Sequence, residues 1–151
     1  MATINLELLK KLRDETAASV SDCRQALEET GGDYKKALAW IKTRGIEKAD
    51  KKKERATSQG IIESYIHGNG KVGVLLELFC ETDFVAKTDE FKHLAHELAM
   101  QIAAMDPNDI ATLLKQEYIR DSSLTVSDVV SGVIGKLGEN ITVGRFQRFS
   151  M

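Results

Sequence analysis

The residues best placed to do chemistry stand at Cys80-Glu81-Thr82-Asp83-Phe84-Val85-Ala86-Lys87, where a thiol, two carboxylates, a hydroxyl and an ammonium surround one aromatic ring. Cys80 and Asp83 with His67 would be a nucleophile set, but no short motif supports it. His93 and His96 lie three apart with Glu97 after the second. A zinc helix wants histidines four apart with glutamate after the first, and no third ligand is evident, so no metal is expected. Gly68-x-Gly70-Lys71 looks like a phosphate loop. It lacks the earlier glycine and the Ser/Thr after lysine, and it falls between two strands with no helix start to receive a phosphate, so no direct nucleotide binding is expected. No constellation of acid, base, nucleophile or metal ligand survives, and neither an enzyme nor a cofactor is expected.

What remains at Thr82–Val85 is a corner. Lys71–Cys80 is rich in β-branched and apolar residues and predicts a strand with at least one buried face. From Phe84 through Lys87, Phe91, Leu94, Ala95, Leu98, Ile102 and Met105 the spacing is mostly helical. Thr82 or Asp83 can cap that helix through a short side-chain oxygen. Asp83 and Phe84 then project from a strand-to-helix turn, where function often lives. The plainer alternative is a cap followed by an apolar residue closing the helix entry. Spacing alone does not separate the two.

The remaining elements follow from local signals. Leu6, Leu8, Leu9 and Leu12 give one apolar face to a helix over about residues 4–15. Ser19 with Asp22 resembles a capping box, and Cys23, Ala26 and Leu27 carry a second helix to Thr30. Gly31-Gly32 ends it. Asp33 caps a third, with Ala37, Leu38 and Ile41 on one side and Gly45 expected to stop it. These three helices make a compact bundle suited to docking, marginal alone. Lys48, Lys51, Lys52, Lys53 and Arg55 follow. With no aromatic residue interleaved for base stacking, they read as a solvated, charged linker or helix extension between two modules rather than an RNA-binding patch.

Residues 60–67 and 71–80 predict a hairpin around Gly68-Asn69-Gly70. Asp106-Pro107-Asn108 breaks the next helix, and residues 109–118 read as a weakly helical connection. Thr125-Val126-Ser127-Asp128 starts a helix whose stripe of Val126, Val129, Val130, Val133, Ile134 and Leu137 suits packing on a sheet. Gly138 stops it, and 140–149 predicts a last strand. The fold class is therefore α+β: a three-helix bundle, then a three-stranded antiparallel sheet with helices on one face. The expected domains are 1–54, a docking bundle with a basic linker, and 55–151, a core carrying the Thr82–Val85 corner.

Bulk properties agree. The chain has 151 residues, 42% hydrophobic and 29% charged, with a net charge of −2. That describes an ordinary globular protein with no global attraction to nucleic acid. No apolar run reaches the length of a membrane span. Met1-Ala2-Thr3-Ile4-Asn5 lacks the pattern of a secretory leader. Cys23 and Cys80, far apart and outside any partner motif, read as reduced thiols of a cytoplasmic protein.

Leu12-Arg13-Asp14-Glu15-Thr16, Asp22-Cys23-Arg24-Gln25-Ala26-Leu27, Gly32-Asp33 with Ala37, Arg44-Gly45, Lys48-Ala49, Glu81-Thr82-Asp83-Phe84-Val85-Ala86 and Gly138-Glu139-Asn140-Ile141 together carry a family resemblance. In that combination the chain resembles bacterial translation elongation factor Ts, the nucleotide-exchange factor for the GTPase elongation factor Tu, over nearly its whole length. The resemblance implies a ubiquitin-associated-like bundle that docks on the GTPase through Arg13, Val20 and Ser21. It further implies a tip of Thr82, Asp83, Phe84 and Val85 that dislodges Mg²⁺ and promotes GDP release. Much of the family has a Gly-rich turn and two Met where this chain has Ala17-Ala18-Ser19 and Val20-Ser21. The second core half and coiled coil of long members are missing, and so is a helical segment of short members between about Asp109 and Leu113. Short members can pair two chains, so the resemblance leaves a homodimer open. It also leaves open a holder of elongation factor Tu that exchanges poorly.

Overall fold

The structure, a computed structural model, describes residues 3–151. Met1 and Ala2, where the absence of a leader was read, lie outside the described residues. Three helices open the chain: α1 Leu6–Thr16, α2 Val20–Glu29 and α3 Tyr34–Lys52. Each start is held by a side-chain oxygen of the expected kind: Asn5 accepts from Glu7 and Leu8 N–H, Ser19 from Asp22 and Asp33 from Lys36. Leu12, Cys23, Ala26, Leu27 and Ala37 close a small core of their own.

The third helix departs from expectation. It runs straight through Gly45 to Lys52 instead of stopping. Glycine in a helix costs only about 1 kcal/mol, and a close tertiary contact outweighs that. Of the two readings of the basic residues, linker or helix extension, the structure takes the second as far as Lys52, and Ala49 is part of the second core.

That second core belongs to a sheet of β1 Gln59–His67, β2 Val72–Cys80 and β5 Ile141–Ser150, in the order β1-β2-β5 and antiparallel throughout. Val74, Leu76, Leu78 and Cys80 alternate inward from the central strand, as the two-residue period requires. A one-turn helix, α4 Asp83–Ala86, leads to α5 Asp89–Met105, which packs over β1 and β2. Phe91, Leu94, Ala95, Leu98 and Ile102 are its buried stripe.

A short helix α6 Ile110–Lys115 follows, then a small hairpin of β3 Glu117–Tyr118 and β4 Asp121–Thr125 that sequence patterning did not anticipate. The helix α7 Val126–Leu137 begins with a full capping box of Thr125 and Asp128 and ends at Gly138 in the left-handed conformation. As a whole the helix lies mainly against α3, with further contacts to α5, α6 and the small hairpin, while its stripe residues Val126, Val130 and Ile134 are buried in the core they share with the sheet. The bundle and the sheet are joined where α3 crosses α7, and Lys42 reaches Asp128 at 3.3 Å across that crossing.

Candidate functional site: an exposed tip held by a reciprocal clasp

The predicted single helix from Phe84 is two helices. Thr88 interrupts it: its hydroxyl donates to the Val85 carbonyl at 2.7 Å and accepts from Phe91 N–H at 3.2 Å, which starts α5 afresh. Thr82, not Asp83, caps the first turn, accepting from Val85 N–H at 3.4 Å. Asp83 stands exposed as the first helical residue and pairs with Lys87 at 3.3 Å.

The split reorients the side chains. Val85 and Ala86 turn inward and are buried. Phe84 turns outward and is 81% exposed. An isolated exposed leucine needs no explanation, but a phenylalanine presented on one rigid turn is an unspent apolar contact.

Beneath the tip the β2–β5 ladder ends at the pair Cys80 and Ile141. Beyond it the chains diverge, and two carboxylates continue the pairing that the backbone no longer makes. Glu139 accepts from Thr82 N–H at 3.0 Å and from the Thr82 hydroxyl at 2.7 Å. In return Glu81 accepts from Asn140 N–H at 2.8 Å. The Asn140 side chain is 3% exposed and donates to the carbonyls of Arg55 at 2.8 Å and Lys53 at 3.4 Å, at the foot of α3. Arg55 also approaches Glu81 at 3.5 Å. Cys80, fully buried, donates its thiol to the Thr82 carbonyl at 3.1 Å. Burial pushes the Cys80 thiol up, with the Glu139 charge adding to it, so it stays protonated and unreactive.

The structure thus brings Thr82, Asp83, Phe84 and Val85 together on one corner. Arg13, Val20 and Ser21 lie apart from it, exposed at the end of α1 and the start of α2, with Val20 47% exposed. Sequence reasoning used Glu139 and Asn140 only as part of a family motif and gave them no task. Their partners lie 57 and more residues away, so no local signal could reveal the bonds.

The other candidate clusters dissolve. His93 faces Glu97 at 3.8 Å while His96 faces Glu63 at 3.4 Å, so the two imidazoles have separate partners. Among the described residues no three His, Cys, Asp or Glu side chains gather as a metal site. No helix among them is long and apolar enough to cross a membrane. In the basic stretch Lys48 is paired with Asp22 and Arg55 with Glu81.

The chain thus combines an exposed aromatic tip on a clamped corner with a three-helix bundle that has its own small core. Comparison with known sequences gives the family. The profile described as elongation factor TS matches residues 81–151, which contain the tip and both halves of the clasp. Elongation factor Ts of Coprothermobacter proteolyticus is 42% identical over 98% of this chain and 98% of its own. That of Thermotoga neapolitana is 40% identical over 98% and 97%. That of a Nostoc strain is 45% identical over the whole of this chain and 48% of its own. The chain belongs to the elongation factor Ts family. The Coprothermobacter alignment spans 193 residues against the 151 of this chain, which leaves at least 42 positions of the relative, the difference between the two figures, without a counterpart here. That agrees with the missing segment expected from sequence.

Proposed function

We propose that this protein is a guanine-nucleotide exchange factor that binds elongation factor Tu with GDP bound, loosens Mg²⁺ and promotes GDP release in translation elongation, without chemistry of its own. The observation that carries the reading is Phe84, an exposed ring on a corner whose backbone is clamped on both sides.

The physics asks for two contacts. An exchange factor must bind the nucleotide-free GTPase more tightly than the GDP form, and linkage then weakens GDP by the same factor. Arg13, Val20 and Ser21 on the bundle would dock on the GTPase domain and supply affinity that does not depend on nucleotide. Phe84 would enter between GTPase helices near the Mg²⁺ site, with Thr82 and Val85 shaping the intruding turn and Asp83 holding a polar contact. Remote binding energy then offsets the strain at the nucleotide site. Because α3 is continuous and packed on α7, docking and intrusion act through one body.

Release of fluorescent GDP from elongation factor Tu tests this directly. Acceleration by the wild type, and its loss in Asp83→Ala and Phe84→Ala, are expected. Stable complex formation without acceleration would make the protein a holder instead.

A second reading concerns assembly. The sheet face away from α5 carries Ile62, Ile66, Leu75 and Phe149, each more than half exposed. Such a patch favours pairing of two chains through that face, with the tips left free at the strand ends.

A further inference from the structure

We propose that Glu139 and Asn140 are positioning residues that hold the Phe84 tip at a fixed place relative to the bundle-bearing helix, so that docking is transmitted to the tip. This rests on the exchange reading above. The chain of contacts is continuous. The foot of α3 is held by Asn140, whose N–H is held by Glu81. Glu139, the neighbour of Asn140, holds Thr82 twice. Thr82 in turn caps the turn that carries Phe84. The two halves are reciprocal, so loss of either carboxylate frees one backbone N–H and one end of the corner.

The clasp has a physical reason to exist. A tip that must enter another protein loses entropy on insertion unless it is already ordered. Val85 and Ala86 anchor only the inward side of α4, and a single helical turn is not stable alone. The carboxylate bonds are charge-assisted and at least half shielded, the strong kind. They fix the turn without covering the ring. A misplaced tip would leave docking intact and lower only the step that disturbs the GTPase.

The test is stopped-flow release of fluorescent GDP over a range of concentrations of the full chain, with melting curves alongside. Glu139→Ala is expected to lower the saturating release rate by roughly tenfold or more, the loss typical of a charge-assisted bond. The half-saturating concentration is expected to stay within about twofold of wild type, because the bundle still docks. Glu139→Gln keeps an acceptor for Thr82 N–H and is expected to recover most of the rate. The double variant Glu139→Ala/Phe84→Ala is expected to be no slower than Phe84→Ala alone. An unchanged saturating rate overturns the proposal. So does a loss that moves rate and half-saturation together and tracks the melting temperature.

Amide hydrogen exchange separates this from failure of the exchange reading. In the free protein Thr82 and Val85 amides are expected to exchange at least about tenfold faster in Glu139→Ala, with the β2 amides unchanged. If the wild type does not release GDP at all, the exchange reading falls, and the tip-ordering half of the proposal stands or falls on those two amides.

Discussion

Gly45 of α3 and Gly135 of α7 face each other so closely that a Cβ added at Gly135 would lie 3.5 Å from the Gly45 Cα. This crossing joins the three-helix bundle to the core, and it explains why α3 tolerates a glycine at its middle. A Cβ at Gly45 would meet only the Ser131 carbonyl at 4.0 Å. Either single alanine is therefore expected to fit, and to gain up to about 1 kcal/mol of helix propensity. The double alanine adds a methyl group on both sides of the crossing and is expected to cost about 1–3 kcal/mol by overpacking. Chemical denaturation of the two single variants and the double checks this. Additive stabilities would show that the crossing is looser than the structure has it.

The small hairpin after α6 predicts a pH response. Its Tyr118 hydroxyl donates to Glu97 at 2.7 Å, and Arg120 pairs with the same carboxylate. Burial works to raise the Glu97 carboxyl, but the bonds from Arg120 and Tyr118 outweigh it and hold it below the usual carboxylate range. A depressed folded value means stability present above the unfolded value and lost as pH falls through the folded one. Wild type is expected to lose stability on acidification below about pH 4.3, the ordinary glutamate value, more steeply than Glu97→Gln. Melting curves over an acid series measure the difference, and parallel curves would remove Glu97 from the acid response.

The same pair works in reverse at high pH. Burial, then the bond to Glu97, pushes the Tyr118 phenol up to about 12. A raised folded value contributes stability below the ordinary phenol value near about 10 that is lost as pH climbs toward the folded one. The ultraviolet phenolate signal of Tyr118 is expected to appear late, and Tyr118→Phe removes that late step. Tyr34, whose bond to Glu15 also pushes it up to about 12, is replaced by Phe in the background so that it does not overlap the Tyr118 step.

Local signals made most of the fold legible. Asn5 apart, the bundle caps at Ser19 and Asp33 and the helix start at Thr125–Asp128 were written in single residues and came out as read. So did the hairpin around Gly68–Gly70 and the buried stripe of α5. Most of what failed did so because a tertiary partner outweighed a local preference; Thr88 is the local exception. Gly45 reads as a stop only until Gly135 is placed beside it. Thr88 looks like a residue within a helix until its hydroxyl is seen bonded to Val85. Glu97 and Gln101 occupy buried positions of α5 because Tyr118, Arg120, and the Glu117 and Ile119 backbone satisfy them, and no periodicity announces those partners. At the site the corner itself was legible, whereas the outward turn of Phe84 and the work of Glu139 and Asn140 needed coordinates.

The open sheet face gives a prediction about assembly. Ile66 and Phe149 are 65% and 68% exposed, and Gly73 lies paired between them in the strand register. If two chains pair through this face, Ile66→Lys with Phe149→Glu is expected to yield monomers in sedimentation, with a melting temperature independent of concentration. A wild type already monomeric at high concentration would leave the face unpaired and end that reading.

Phe84→Ala separates function from stability more cleanly than any other change. The ring is exposed, so its loss leaves no cavity, and the melting midpoint is expected to stay within about 2 °C, the range of a neutral surface substitution. In the complex the same ring would be a central aromatic contact, worth on the order of 1–3 kcal/mol, or about 5–150-fold in coupling. GDP release should therefore slow by that factor while the fold is unchanged. Phe84→Leu keeps apolar bulk without the flat ring, and an intermediate rate would show that shape as well as apolar area matters. Full activity in Phe84→Ala would place the work elsewhere on the corner, with Asp83 the next residue to change.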